Sequence, residues 1–339
     1  MKKLFKIQII ASLVLYTISG AFSFANANAN AQLFQDLKIL SSEMMAGRKP
    51  GTEGHKRAQS YIIKRLQEAN VLSFESSSEH ISIPYKQPFS YGGMFKTSQA
   101  TNLLGFHLGQ EFPEQFIVIT AHYDHLGKKG SSYYFGADDN ASGVSAMLKL
   151  ADYFSKNSPK HSIIYLATDA EESGLKGAKA FIEQLPLSFR IKNSFKSVQI
   201  SKSQLALNLN LDMIATPGKR KTLFVSGTRE VPIFKSLIKE VGVESRRPGF
   251  RLKAGHDTRE RYATNGEKGP RNWFKASDHG VFKRNDIRFL YFGVDPHPNY
   301  HSIRDTFENI DRAFYDDAVR SIVSVTIKLD DMDFLEAIQ

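Results

Sequence analysis

The 339-residue chain contains no cysteine. That excludes a disulfide framework, a thiolate nucleophile, cysteine-ligated zinc, an iron–sulfur cluster and a lipid anchor on an N-terminal cysteine. Proline (12) and glycine (23) are close to average usage, which leaves out collagen-like and proline-rich linker architectures. No apolar run approaches the ~20 residues that a spanning helix needs, so stable membrane insertion is not expected. Acidic side chains are fewer than basic ones, 35 against 45, and the net charge is +10. The positive residues are dispersed, except for a denser stretch from Arg246 to Lys283. No zinc finger, RNA-binding signature or basic helix interleaved with aromatics accompanies it, so a nucleic-acid partner is not expected. That stretch reads either as a solvated loop or as a rim favouring acidic substrates. With 41% hydrophobic and 24% charged residues, the chain is globular and has enough material for a sizeable core.

The first residues read as a targeting segment. Met1 to Lys6 carries three lysines, Ile7 to Ser19 is largely apolar, and an Ala-Asn repeat ends near Ala31. This order predicts a secretory signal peptide over 1–29, cut somewhere between 25 and 31. An uncleaved anchor is the alternative. Removing the three lysines lowers the net charge to +7. The expectation is an exported protein, periplasmic or secreted, with one domain over 30–339.

Beyond that segment, short apolar runs alternate with helical spacing. Helices are predicted over Leu33–Ser42, Glu53–Ala69, Gly143–Phe154, Gly174–Gln184, Val231–Val241 and Ile310–Leu329. Strands are predicted at Ile81–Pro84, Thr101–Phe106, Phe116–Thr120, Ser162–Ala167, Gln204–Leu211, Thr222–Ser226 and Arg288–Phe292. The pattern implies an α/β fold with a mixed, largely parallel central sheet flanked by helices. Residues 244–275 read as a long loop region with at most short elements.

Chemistry-bearing residues gather just after the predicted strands, where α/β sheets bind ligands. His122 and Asp124 follow the run ending at Thr120. Asp124 is a natural orienter for a ligating His122. Asp138 and Asp139 lie among small residues before a helix, as helix caps or as hard oxygen donors. Glu171 and Glu172 follow the next strand, as a helix start favoured by the dipole or as one metal ligand and one base. Asp212 ends another strand, and His301 lies in a late polar segment. Each cluster is ambiguous alone. Together they place carboxylates and histidines after successive strands, which suits a two-metal site of oxygen and nitrogen donors.

In these segments the sequence resembles the M28 family of zinc peptidases, the co-catalytic dizinc aminopeptidases, in its bacterial exported form. The resemblance rests on His122-Tyr123-Asp124, Gly136 to Gly143, Glu171 to Gly177, Asn210 to Met213, and His301-Ser302 with Asp305. The lead-in from Leu40 through Gly47-Arg48 to Thr52 adds to it. It implies a zinc aminopeptidase-like (phosphorylase/hydrolase-like) fold and two zinc ions, with manganese or cobalt as possible substitutes. His122 and Asp212 would hold one ion, Glu172 and His301 the other, and Asp138 would bridge them. A cis peptide would follow at Asp138–Asp139. Glu171 would be general base and then acid, with Asp124 orienting His122. The implied activity is removal of the N-terminal residue from peptides with a free N-terminus, by attack of a zinc-activated water. Asp278 and His279, in Ser277-Asp278-His279, would support the pocket or its surroundings, and Tyr300 would border it or pack. Alternatives are another zinc amidase, carboxypeptidase-like or glutaminyl cyclase-like, and a non-catalytic peptide-binding protein on the same fold.

Overall fold

The computed structural model describes residues 30–74, 84–93, 96–190, 197–229, 231–257 and 272–334. The predicted signal segment lies outside them, as do residues 81–83 of the predicted strand ending at Pro84. Seven helices stand out in the description: α1 (30–40), α2 (Glu53–Glu68), α3 (Gly143–Phe154), α4 (Lys176–Glu183), α5 (Pro232–Glu244), α6 (His279–Arg284) and α7 (Arg312–Asp330). The strands are β1 (Leu72–Ser73), β2 (Lys86–Gly93), β3 (Lys96–His107), β4 (Phe112–His122), β5 (Gly127–Lys129), β6 (Ser132–Tyr134), β7 (His161–Thr168), β8 (Leu187–Arg190), β9 (Ser197–Ile200), β10 (Leu205–Leu211), β11 (Thr222–Ser226), β12 (Arg251–Ala254) and β13 (Phe289–Gly293).

Nine strands form one sheet in the order β1-β3-β7-β4-β10-β13-β11-β12, with β2 also paired to β3. The four central strands, β7, β4, β10 and β13, are mutually parallel. β3 and β11 flank them antiparallel. The fold is therefore mixed α/β, as the alternating pattern predicts. The central strands are continuous apolar runs because both faces are covered. Along β4, Ile117, Ile119 and Ala121 enter the larger core, while Phe116 and Val118 enter the core on the opposite face. β7 divides the same way, with Ile163 and Tyr165 against Ile164 and Leu166. This two-residue alternation fixes which side chains can appear at the strand ends.

β10 departs from it in an informative way. Leu207, Leu209 and Leu211 are core, but Asn208 and Asn210 face the other side. They bond laterally: Asn208 Nδ2 donates to Val118 O (3.0 Å), Thr120 Oγ1 donates to Asn210 Oδ1 (2.7 Å), and Asn210 Nδ2 donates to Ser277 Oγ (2.8 Å). A buried polar chain thus locks β4 and β10 together directly beneath the loops that carry the site.

The strand β2 is not evident in the sequence. Pro88, Gly92 and Gly93 argue against a strand, yet β2 pairs with β3 over its whole length. It lies outside the main strand path, where a missing N–H is tolerated. The predicted loop region 244–275 contains β12 and a 3₁₀ turn at Trp273–Lys275; residues 258–271 lie outside the described residues. Among the described residues, no helix is long and apolar enough to cross a membrane.

Candidate metal centre

The site lies at the carboxyl ends of β4, β7 and β10. His122 is the last residue of β4, and Asp212 directly follows β10. Glu171 and Glu172 follow β7, and His301 comes from the long connection after β13. His122 Nε2 lies 3.2 Å from Asp139 Oδ1 and 3.4 Å from Asp212 Oδ1. His301 Nε2 lies 3.1 Å from both Asp139 Oδ2 and Glu172 Oε2. His125 Nδ1 is 2.8 Å from Glu172 Oε1 and 3.9 Å from Asp139 Oδ2. Two metal-competent triads result, His122–Asp139–Asp212 and His125–Asp139–Glu172, and they share Asp139.

This corrects the expected bridge. The carboxylate between the two halves is that of Asp139, and Asp138 points away. Asp138 accepts hydrogen bonds from Ala215 N (2.7 Å), Thr216 N (3.1 Å) and Ser142 Oγ (3.2 Å), and it meets His297 Nε2 at 2.9 Å. Its oxygens are occupied in tying the turn to the segment after β10. The reason lies in the backbone of Ala137–Ser142. Asp139 and Asn140 leave the helical region (φ −106°, ψ 88° and φ −135°, ψ 45°), so the neighbouring carboxylates diverge. The non-proline cis peptide is Asp139–Asn140, one residue beyond the expected place. Gly136 opens this turn at φ +58°. A Cβ there would lie 2.2 Å from Asp139 O and 2.8 Å from Arg48 Nη2, so only glycine fits.

The expected orienting role of Asp124 has a geometric basis. His122 Nδ1 is 3.2 Å from Asp124 O and 3.7 Å from Asp124 Oδ1. The same carboxylate accepts the backbone N–H groups of Glu171 (3.0 Å) and Glu172 (3.4 Å). One buried side chain thereby sets the spacing between the β4 and β7 loops. Asp305 does the same for the Ala137–Ser142 turn, accepting from Asp138 N (2.8 Å) and Asp139 N (3.0 Å).

The electrostatics call for positive charge. Burial disfavours a charged His122, but Asp212, Glu171, Asp124 and Asp139 outweigh it and hold its pKa well above the ordinary value. Burial likewise opposes charge on His301, and the Asp139 and Glu172 carboxylates that face it lift its pKa to about 10. Burial pushes Glu171 well above the usual carboxylate range, reinforced by Asp212, Asp278 and Glu172. Asp212 Oδ1 and Asp139 Oδ2 are buried and, among the described residues, accept no hydrogen bond, although histidine nitrogens stand near both. These lone pairs converge on common points rather than pairing off. Hard oxygens with imidazole nitrogens, no thiolate, and unsatisfied buried acceptors fit a binuclear zinc site.

The remaining predicted residues divide. Asp278 is fully buried, accepts from Thr168 Oγ1, leaves Oδ1 without a partner and contributes to the field at Glu171. Burial drives its pKa up to about 7. His279 is not in the pocket. Its Nε2 lies 2.7 Å from Trp273 O and its ring stacks on Tyr291 (4.4 Å), which supports the turn carrying Asp278. Tyr300 stacks on His301 at 3.9 Å.

Sequence reasoning missed Asp139 as the shared carboxylate, His125, and Arg48. Arg48 is buried beneath the site and donates to four backbone carbonyls: Tyr123 (2.8 Å), Leu40 (2.6 Å), Phe135 (2.7 Å) and Gly136 (2.9 Å). Burial lowers its pKa to about 10, and Asp305, Asp139, Asp124 and Glu172 oppose that. The available signal was the excess of carboxylates over nearby cations in the motif segments, which demands an internal counter-charge.

Fold and site together define a class: mixed α/β proteins whose buried histidines and carboxylates fit a binuclear metal centre at the strand ends. The profile of peptidase family M28 matches residues 102–326, and the chain belongs to that family. A vacuolar membrane protease of Pyrenophora tritici-repentis is 30% identical over 232 residues, covering 64% of this chain and 20% of that protein. A probable zinc metalloprotease of the same fungus is 26% identical over 164 residues, covering 46% of this chain and 34% of the relative. The chain thus aligns with a fifth to a third of these relatives' length. Among solved structures, BSAP, a zinc aminopeptidase from Bacillus subtilis, superposes with TM-score 0.63 at 15% identity, covering 91% of this chain and 98% of that one. A Bacteroides thetaiotaomicron glutaminyl cyclase bound to N-acetylhistamine superposes with TM-score 0.63 at 16% identity, covering 90% and 98%. Both likenesses establish the fold.

Proposed function

We propose that this protein is a dizinc aminopeptidase that releases the N-terminal residue of peptides. The observation that carries the reading is the pair of triads joined at Asp139, with Glu171 standing beside them as a buried carboxylate that belongs to neither. His122, Asp139 and Asp212 would hold one ion. Asp139, Glu172 and His301 would hold the other, because His301 Nε2 faces both carboxylates at 3.1 Å. His125 then orients Glu172 from behind at 2.8 Å.

Bound zinc would supply Lewis-acid polarisation of the scissile carbonyl and a lowered pKa for the attacking water. The chain's own residues supply the rest. Glu171, raised by burial, takes a proton from the water as it attacks and returns it to the departing amine. Asp124 fixes Glu171 in place through the backbone N–H it accepts. The charge of the buried Asp278 carboxylate helps to keep Glu171 basic. Turnover by E171Q should fall by about 10²–10⁴-fold with both metals retained; unchanged turnover would remove Glu171 from the mechanism.

The enzyme is read as exported, with residues 1–29 removed and one domain over 30–339. Intact mass of the mature chain tests this. The decisive assay offers the zinc-loaded protein a peptide pool, each member both free and N-acetylated. Release from free N-termini alone supports the aminopeptidase. Cleavage of acetylated peptides as well points to another amidase. Water loss from glutaminyl peptides without cleavage points to a cyclase.

A further inference from the structure

We propose that the groove between α5 and the outer edge of β12 binds an extended, acidic peptide segment, independently of the metal centre. The groove encloses about 490 Å³. Lys235, Lys239 and Arg246 line it from the helix side, and Arg251 and Lys253 from the strand. Among the described residues none of these five cations has a carboxylate partner. The acids of α5 turn elsewhere: Glu240 and Glu244 meet Lys328 at 2.7 and 3.4 Å. Between the cations the surface is apolar, with Ile238 and Leu252 at its base and Val243 70% exposed at its lip. A second cavity of about 390 Å³ shares Arg246 and Arg251 and continues the basic surface. The sequence of residues 258–271 is itself net positive, so the chain's own neighbouring segment does not complement this charge.

The edge specifies an extended guest. β12 ends the strand order of the sheet. Arg251 N donates to Lys221 O and Gly255 N to Val225 O, both at 3.0 Å. In a parallel ladder alternate amides face opposite sides, so those of Leu252 and Ala254 face away from β11 and have no strand partner among the described residues. Gly242 admits the Leu252 carbonyl to the groove floor; a Cβ there would lie 2.7 Å from that oxygen. A strand laid on this edge would gain main-chain hydrogen bonds, and acidic side chains at alternate positions would meet the lysines and arginines. The surface is concave and has a single exposed apolar side chain at its lip, which suits a strand better than a membrane surface.

The test titrates the full chain with a fluorescent peptide of alternating valine and glutamate, N-acetylated and C-amidated so that an aminopeptidase cannot consume it. Saturable binding is expected, weakening about tenfold when salt is raised to about 0.5 M. Lys239→Glu with Arg251→Glu should weaken it about tenfold or more, and the milder K239A/R251A pair should do so less. Lys56→Glu, on the exposed face of α2, should leave it unchanged. No binding by the wild type, or equal loss with Lys56→Glu, would overturn the proposal. Equal affinity for an alternating proline–glutamate peptide or for inorganic polyphosphate would also overturn it, as capture of any polyanion. So would groove-dependent binding to anionic vesicles without binding of the peptide. Loss of peptidase activity leaves this outcome untouched, because the probe reads binding alone.

Discussion

The two halves of the metal centre are built differently. The His122 half stands on strand ends: His122 closes β4, Asp212 follows β10, and their side chains are 1% and 9% exposed. The Glu172–His301 half stands on connections: His301 comes from the loop after β13, and its side chain is 38% exposed. Donors fixed by a packed sheet lose little freedom on binding a metal, whereas donors on loops must be ordered first. The comparison leads to the expectation that the His122 position holds its ion more tightly than the Glu172–His301 position.

The largest effect should come from removing what the halves share. Asp139→Ala should abolish binding of both ions and nearly all turnover, whereas Asp138→Asn should keep a stoichiometry of two while lowering stability by about 1–3 kcal/mol. Metal analysis with thermal melts separates them; two ions retained in D139A would end the shared-bridge reading. Next is the asymmetry itself. Stepwise chelation should remove one equivalent well before the other, and His301→Ala should mimic the first step while His122→Ala costs the tighter ion. Loss of both ions at one chelator concentration would erase the distinction. A smaller effect concerns what lies beneath both halves. Arg48→Met leaves four carbonyls and the surrounding acids without their buried cation, and should cost on the order of 3–5 kcal/mol in urea unfolding. Arg48→Lys should recover part of this.

The smallest effect is one of pH. Burial holds His279 neutral, with its pKa lowered to about 3. Above about 6.5 both folded and unfolded states carry it uncharged. As pH falls from there toward 3, only the unfolded state takes up the proton, so stability is lost across that window. His279→Phe should flatten the acid limb of a stability–pH profile by up to a few kcal/mol; an unchanged slope would assign the loss to the site carboxylates.

Much of the fold was legible because its strands are short, apolar and bounded. Thr222–Ser226 is β11 as expected, and α3 matches Gly143–Phe154. β2 was not, since pairing with β3 outweighs the local preferences of Pro88 and two glycines. At the site, the residue types after each strand were legible, because carboxylates and histidines at strand ends have few structural uses together. The choice between Asp138 and Asp139 was not. Adjacent identical side chains differ only in direction, and the backbone of the Ala137–Ser142 turn sets that. His125 was hidden in the same way, one residue past Asp124.

By itself, then, the sequence determined the alternation of strand and helix, the absence of any thiol chemistry and the stock of hard donors, since these depend on local periodicity and composition. Tertiary structure decided which carboxylate is shared, which histidine faces it and where the counter-charge of Arg48 enters. Those are directions and distances between segments far apart in the chain. They are fixed only when β4, β7 and β10 lie side by side and the N-terminal turn closes beneath them.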